Sequence, residues 1–544
     1  MIFAASVVSA TLVLDNGTVH TLDARRPHAQ AVAITGGVIT AVGSRADMKP
    51  FIGPSTRVID LEGQTVIPGF HDSHAHLLNI GLAKMSVDLV GTASYREVIE
   101  RVAPVTRSRP AGQWIVGRGW HEGKWKEAAP GAVRGFPTHA ALTAVSPNHP
   151  VVLTRADGHA LLANAKAMQL AGITADTRAP EGGDIIRDAE GRPTGIFIDN
   201  AQSLIRVPPP DDEQRRRALG LALQECLADG VTSVDDAGAG PEMLSLYKER
   251  AEAGALPVRI YAMAGGFDTL KTLERPQIDV GRGFLTVRSV KLYVDGALGS
   301  RGAALLEPYA DDPKNTGLLV NTPEVLLEAT RHALAKGFQV CTHAIGDRGN
   351  RIVLDTYERA MKENAAVKDP RLRIEHAQIL DALDIPRFAK LGVIASMQGI
   401  HATSDRPWAR DRLGMERVTE GAYVWQKLLK SGAHVTNGTD APVEDLSPLK
   451  CYYASVTRQD EAGQPAGGFD PDQRMTREEA LRSYTWEPAY ATFQEERLGS
   501  IETGKRADLT VLSKDILSVP AAEILSTEVV YTIVDGALRF QRDE

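Results

Sequence analysis

Short apolar runs separated by turn residues mark both ends of the chain. Residues 10–14, 31–34, 38–42 and 65–67 are apolar stretches broken by Asp15-Asn16-Gly17 and Gly36-Gly37, the texture of strands joined by tight turns. It returns at 507–512, 529–534 and 537–540, with Asp535-Gly536 in the last gap. The two ends are therefore predicted to build one small β-sandwich, from residues 1–67 and 495–544, which the rest of the chain leaves and re-enters.

Between them, apolar strand segments alternate with helical ones at the spacing of βα units: 233–234, 258–263, 287–294, 339–342, 371–374, 393–396 and 434–436, with one more just before His74. Eight such repeats predict an α/β fold, a (β/α)₈ barrel of the TIM type over residues 68–494, with its chemistry at the C-terminal ends of the strands. The stretch after the first strand is too long for one helix. It is read as an inserted subdomain over about 90–213, leaving through Pro208-Pro209-Pro210.

Composition narrows the picture. At 544 residues the chain is too long for one core, and 69 acidic against 61 basic residues leave a formal charge of −8, with no basic surface for nucleic acid. Cys226, Cys341 and Cys451 are far apart and in no C-x-x-C pair, so they form neither a disulfide framework nor a thiolate metal site. No apolar run reaches the ~18 residues of a membrane span. The apolar opening from Met1 to Ala10 lacks a basic leader, so a cytoplasmic location is expected, with a periplasmic or secreted one as the alternative. The expected partners are a small-molecule substrate and a second copy of the chain, in a homodimer.

The strongest local signal is Pro68-Gly69-Phe70-His71-Asp72-Ser73-His74-Ala75-His76. His74 and His76 are two residues apart at a strand end, so both imidazoles point to one side and can share a metal ion. Taken alone, the pair is equally a polar strand-to-loop junction. His343, in Cys341-Thr342-His343-Ala344, and His376, in Ile374-Glu375-His376, each end a strand segment in successive βα units. Four histidines on the catalytic face of one barrel point to a metal site. Asp440, in Gly438-Thr439-Asp440-Ala441-Pro442, ends the last strand segment, where a carboxylate can bind metal and accept a proton; its plainer reading is a helix cap.

These motifs, with Val290-Lys291-Leu292-Tyr293-Val294-Asp295-Gly296 and the closing Gly499-Ser500-Ile501-Glu502-Thr503-Gly504-Lys505, resemble the metal-dependent amidohydrolase superfamily, and within it the amidohydrolase family 3 branch of N-substituted formamide deformylase-like proteins. The resemblance covers nearly the whole chain. It implies a metal set of His74, His76, Lys291, His343, His376 and Asp440, with Lys291 carbamylated by CO₂ and bridging two zinc ions. Physics allows this: a buried ammonium is costly, nearby cations favour the neutral amine, and the amine reacts with CO₂. The plainer reading is a Lys291–Asp295 ion pair.

Substrate contacts are assigned to Asp157 and His159 in the insertion, to Tyr293 and Arg301, and to Trp120, which with Trp114 and Trp125 either walls a pocket or forms the insertion's own core. Asp235 stands where the branch carries a His-Asp pair, which puts second-strand substrate contacts in doubt. The expected reaction is hydrolysis of a linear amide-type C–N bond, in an N-acyl or N-formyl compound, by metal-activated hydroxide with Asp440 as general base and then acid. Deamination, hydrolysis of a cyclic amide or ester, and a non-catalytic scaffold are the alternatives, and His and carboxylate donors also accept Co, Mn or Fe.

Overall fold

The computed structural model describes residues 9–156, 158, 160–180 and 183–543. These fall into two compact units, one within residues 9–77 and 222–543 and the other within residues 78–221.

The first unit contains the barrel. Its strands are β1 (Phe70–Ala75), β2 (Val231–Ala239), β3 (Arg259–Gly265), β4 (Leu285–Tyr293), β5 (Gln339–Ala344), β6 (Arg373–His376), β7 (Ile394–Met397) and β8 (Val435–Asn437). Successive strands pair in parallel from β1 through to β8. Helices such as Pro323–Ala335 and Asp347–Glu363 fill the crossovers, as parallel pairing requires. The sequence pattern placed His74 after the first strand, whereas β1 runs through it. Polar residues in β1 and β2 are buried in the barrel interior, which hides those strands from an apolar-run reading.

No ladder joins β8 to β1, and the seam is closed instead just beyond the end of β8. The Asp440 amide donates to the His74 carbonyl at 2.7 Å and the His76 amide to the Ala441 carbonyl at 2.9 Å. The buried Asp72 carboxylate accepts the Thr439 hydroxyl at 2.6 Å and the backbone amides of Thr439 and His74, each at 3.1 Å. A Cβ on Gly438 would lie 2.6 Å from the His74 nitrogen, so only glycine lets the two backbones approach this closely. The seam brings Asp440 against the histidines of β1.

The same unit holds the sandwich. One sheet orders Val38–Gly43, Ala31–Thr35, Leu12–Asp15 and Arg57–Asp60; the other orders Ala537–Gln541, Val529–Val534, Leu509–Leu512, Thr65–Pro68, Thr18–His20 and His28–Ala29. Leu12, Leu14, Val32 and Ile34 pack with Val66, Leu509, Val511 and Ile533 in one core drawn from both chain ends. Arg259 at the start of β3 fastens the sandwich to the barrel, its guanidinium donating to Asp508 at 2.6 and 3.1 Å and to Asp535 at 3.0 Å. Strands Thr18–His20, His28–Ala29 and Arg57–Asp60 are short or polar and lacked an apolar run to announce them.

The unit of residues 78–221 is wider than the predicted 90–213. The helix Leu77–Met85 and the first turns of Asp212–Ala228 belong with it: a Cβ on Gly81 would lie 1.9 Å from the Ala218 carbonyl oxygen, so these helices touch backbone to backbone. Its sheet orders Gly183–Arg187, Pro193–Asp199, Ala160–Ala163, Val151–Arg155, Ile115–Trp120 and Val87–Asp88. Alternating residues feed its two faces, Val151, Leu153 and Leu162 on one and Val152, Leu161 and Phe197 on the other. All three cysteines are buried and free. No helix among the described residues is long and apolar enough to cross a membrane.

Candidate metal centre

At the C-terminal end of the barrel, His74 Nε2 lies 3.6 Å and His76 Nε2 3.1 Å from Asp440 Oδ1. His74 is fully buried. Both Asp440 and His376 have left-handed backbone, with φ of 58° and 73°, a conformation rare outside glycine and common where a site imposes it. His376 donates from Nδ1 to Gln398 Oε1 at 2.8 Å, which leaves Nε2 for the site. The buried His343 Nε2 has no hydrogen-bond partner. Lys291 Nζ sits 3.1 Å from His74 Nε2. The six residues assigned from sequence thus come from five separate strand ends to one place.

The electrostatics suit a cation. Burial lowers the His74 imidazole to about 4 and His343 to about 3, with the Lys291 charge adding to both, so each offers a neutral nitrogen at pH 7. Burial and the neighbouring imidazoles hold His376 well below its ordinary value. Burial also lowers Lys291, against the pull of Glu375 and Asp440. For Asp440 burial acts upward, but the hydrogen bond with His76 and the surrounding imidazoles win and keep it ionised. The ligand atoms of His74, His76 and Asp440 lie within 4.8 Å of one another, as do those of His376, His401 and Asp440. Neutral imidazoles, a carboxylate and unpartnered buried nitrogens are the donor set a divalent metal requires.

Below this layer runs a network no motif announced. His74 Nδ1 donates to Glu375 Oε2 at 2.5 Å, and Glu375 also takes the Arg373 guanidinium at 2.8 and 3.2 Å. Arg373 continues to Asp235 at 2.5 Å, to the Ser73 carbonyl at 2.6 Å and to Ser396 Oγ at 3.0 Å. Asp235 in turn meets His71 Nε2 at 2.7 Å. Asp235 is therefore a barrel-interior carboxylate and His71 its partner, and neither lines the cavity. Glu375 fixes the orientation of His74 and makes its free nitrogen more basic.

A cavity of about 390 Å³ opens above the ligands. Its walls include Lys291, Tyr293, Leu298, Ile345, Gln378, His401, Asp405, Trp408 and Glu444. Tyr293 therefore lies where the sequence assigned it. Arg301 does not: it pairs with Asp311 at 2.9 and 3.0 Å. Trp120 is another correction. It is 1% exposed in the insertion's own core, its indole N–H donating to the Leu153 carbonyl at 2.8 Å and its ring packed near Trp125. Asp157 and His159 lie outside the described residues. Asp295 does not pair with Lys291 but accepts three backbone amides, from Ile345, Gly346 and Ala304, and burial pushes its carboxyl up to about 7. His401 went unnoticed because it sits four residues beyond β7, on a helical turn that brings it back.

A parallel barrel with histidines and an aspartate gathered at its C-terminal end defines a metal-dependent hydrolase in fold and site. Comparison with known proteins gives the family: residues 57–540 match the model of the amidohydrolase family. The chain is 35% identical to the protein LONG AFTER FAR-RED 3 of Arabidopsis thaliana, over 97% of this chain and 91% of that one. It is 32% identical to the N-substituted formamide deformylase of Arthrobacter pascens, over 98% of each. Among solved structures, an uncharacterized metal-dependent hydrolase from Pyrococcus horikoshii superposes with a TM-score of 0.78 at 29% identity, covering 94% of this chain and 99% of that one. The chain belongs to the amidohydrolase family and is a hydrolase of carbon–nitrogen bonds.

Proposed function

We propose that this protein hydrolyses a linear amide-type bond in an N-acyl or N-formyl compound, releasing an amine, with Asp440 as general base and then general acid. The observation that carries this reading is the position of Asp440: one carboxylate oxygen faces His74 and His76, while the residue itself lines the cavity. When bound, a divalent ion supplies Lewis acidity toward a carbonyl and lowers the pKa of water from 15.7 to about 7. His74, His76 and Asp440 would hold one ion and His343 and His376 a second.

Lys291, buried and short of a carboxylate partner, would serve both as its carbamate. Asp440 takes the proton of the attacking water and returns it to the departing nitrogen, so one carboxylate serves both halves of the reaction. Leu298, Ile345 and Trp408 offer apolar surface to the substituent. The full-length likeness to a formamide deformylase supports a small acyl group.

The test is elemental analysis of protein purified without chelator, beside Lys291→Ala, with a screen of N-formyl and N-acyl amines. About two metal ions per chain, falling in the variant, with amine released from a formamide, is the expected result. One ion, unchanged in the variant, would remove the carbamate bridge and favour single-metal chemistry.

A further inference from the structure

His401 opens the short helix His401–Ser404 beyond β7 and belongs to none of the motifs that defined the site. It is 7% exposed, lines the cavity, and its Nε2 has no hydrogen-bond partner. Its ring lies parallel to that of His376, 18° between planes and 6.3 Å between centroids. Leaving a buried polar nitrogen unmet is costly, so a partner absent from the protein itself has to reach it. Besides solvent in the open cavity, two partners could meet it there, a metal ion or the substrate.

Distances separate the two. Donor atoms sharing one tetrahedral ion at about 2.0–2.1 Å stand roughly 3.3 Å apart. The His76 and His74 nitrogens, at 3.1 and 3.6 Å from Asp440 Oδ1, bracket that edge. His401 Nε2 lies 4.0 Å from Asp440, and from the other oxygen, Oδ2. This is too long for such an edge and too long for a direct hydrogen bond. The Asp440 charge nonetheless favours the tautomer that carries its proton on Nε2. In that tautomer the Nε2 N–H faces the reacting centre with no protein acceptor.

Resting on the proposed hydrolysis, we infer that His401 is a catalytic residue that donates this N–H to the substrate carbonyl oxygen as negative charge develops there, and is not a metal ligand. No bond forms or breaks at His401. The developing charge and Asp440 do not repel, because Asp440 has by then accepted the proton of the attacking water. Gln378 and Tyr423 hold the next helical turn, each bonding Asp405 Oδ2 at 2.8 Å, so the donor is fixed in place before substrate enters.

The experiment compares His401→Phe, which keeps a ring and removes the donor, with His401→Asn, which keeps an N–H, in protein loaded with zinc. Metal per chain, melting temperature and calorimetric binding of methylphosphonate, a tetrahedral anion, are measured for each. The expected result is wild-type metal content in both variants, methylphosphonate binding about 10-fold or more weaker in His401→Phe, and partial recovery in His401→Asn. Metal lost from a folded His401→Phe would make the residue a ligand and overturn the inference. Equal methylphosphonate affinity in the wild type and His401→Phe, or none in the zinc-loaded wild type, would overturn it too. A wild-type chain that takes up no metal fails earlier, at the proposed hydrolysis itself.

Discussion

Two layers of the barrel interior carry buried charge and handle it differently. In the lower layer, His71, Asp235, Arg373 and Glu375 form a chain in which the Arg373 guanidinium finds two carboxylates, a carbonyl and a hydroxyl. In the upper layer the protein leaves nitrogens unmet, at His343 and His401, and sets Lys291 beside an imidazole. Buried polar groups are nearly always satisfied, so a saturated network reads as structure and an unsaturated one as a site awaiting something from outside. His74 joins the layers, anchored through Nδ1 to Glu375 and presenting Nε2 upward. The rigid layer thus orients the reactive one.

Removing metal should give the largest effect. Dialysis against a chelator is expected to abolish hydrolysis while leaving the far-ultraviolet dichroism intact, with activity returning on adding Zn, Co or Mn; unfolding on chelation would show the upper layer to be structural as well. Next comes Asp440→Asn, which should lower kcat by about 10²–10⁴-fold at nearly constant melting temperature. Arg373→Met attacks the other layer. It strands Asp235 and Glu375 without their cation and should cost about 3–5 kcal/mol in denaturant unfolding.

Glu375→Gln probes the link between the layers, and about 10–100-fold weaker metal binding by competitive chelator titration is expected, because His74 loses its charged anchor. An effect confined to stability would place Glu375 wholly in the lower layer. The smallest change is expected from Arg301→Ala. The Arg301–Asp311 pair is solvent-screened, so the unfolding midpoint should hardly move, and steady-state kinetics should stay within about two-fold.

The amino-acid pattern by itself determined the sandwich built from both termini, the eight βα repeats and the insertion, because strands with one apolar face or an apolar core declare themselves in short windows. It also singled out His74, His76, His343, His376 and Asp440 as candidates, since each ends or lies near the end of a strand and barrel chemistry gathers there, while Lys291 entered only through the family resemblance. Partnership was another matter. That Asp235 answers Arg373, that Glu375 holds His74, that Trp120 packs within the insertion and that Arg301 turns to Asp311 follow from contacts between residues far apart in the chain. His401 shows the same limit, for it reaches the site only because a helical turn after β7 folds back over it. A residue's type and spacing say what it can do; only the packed structure decides which of its hydrogen bonds are already taken.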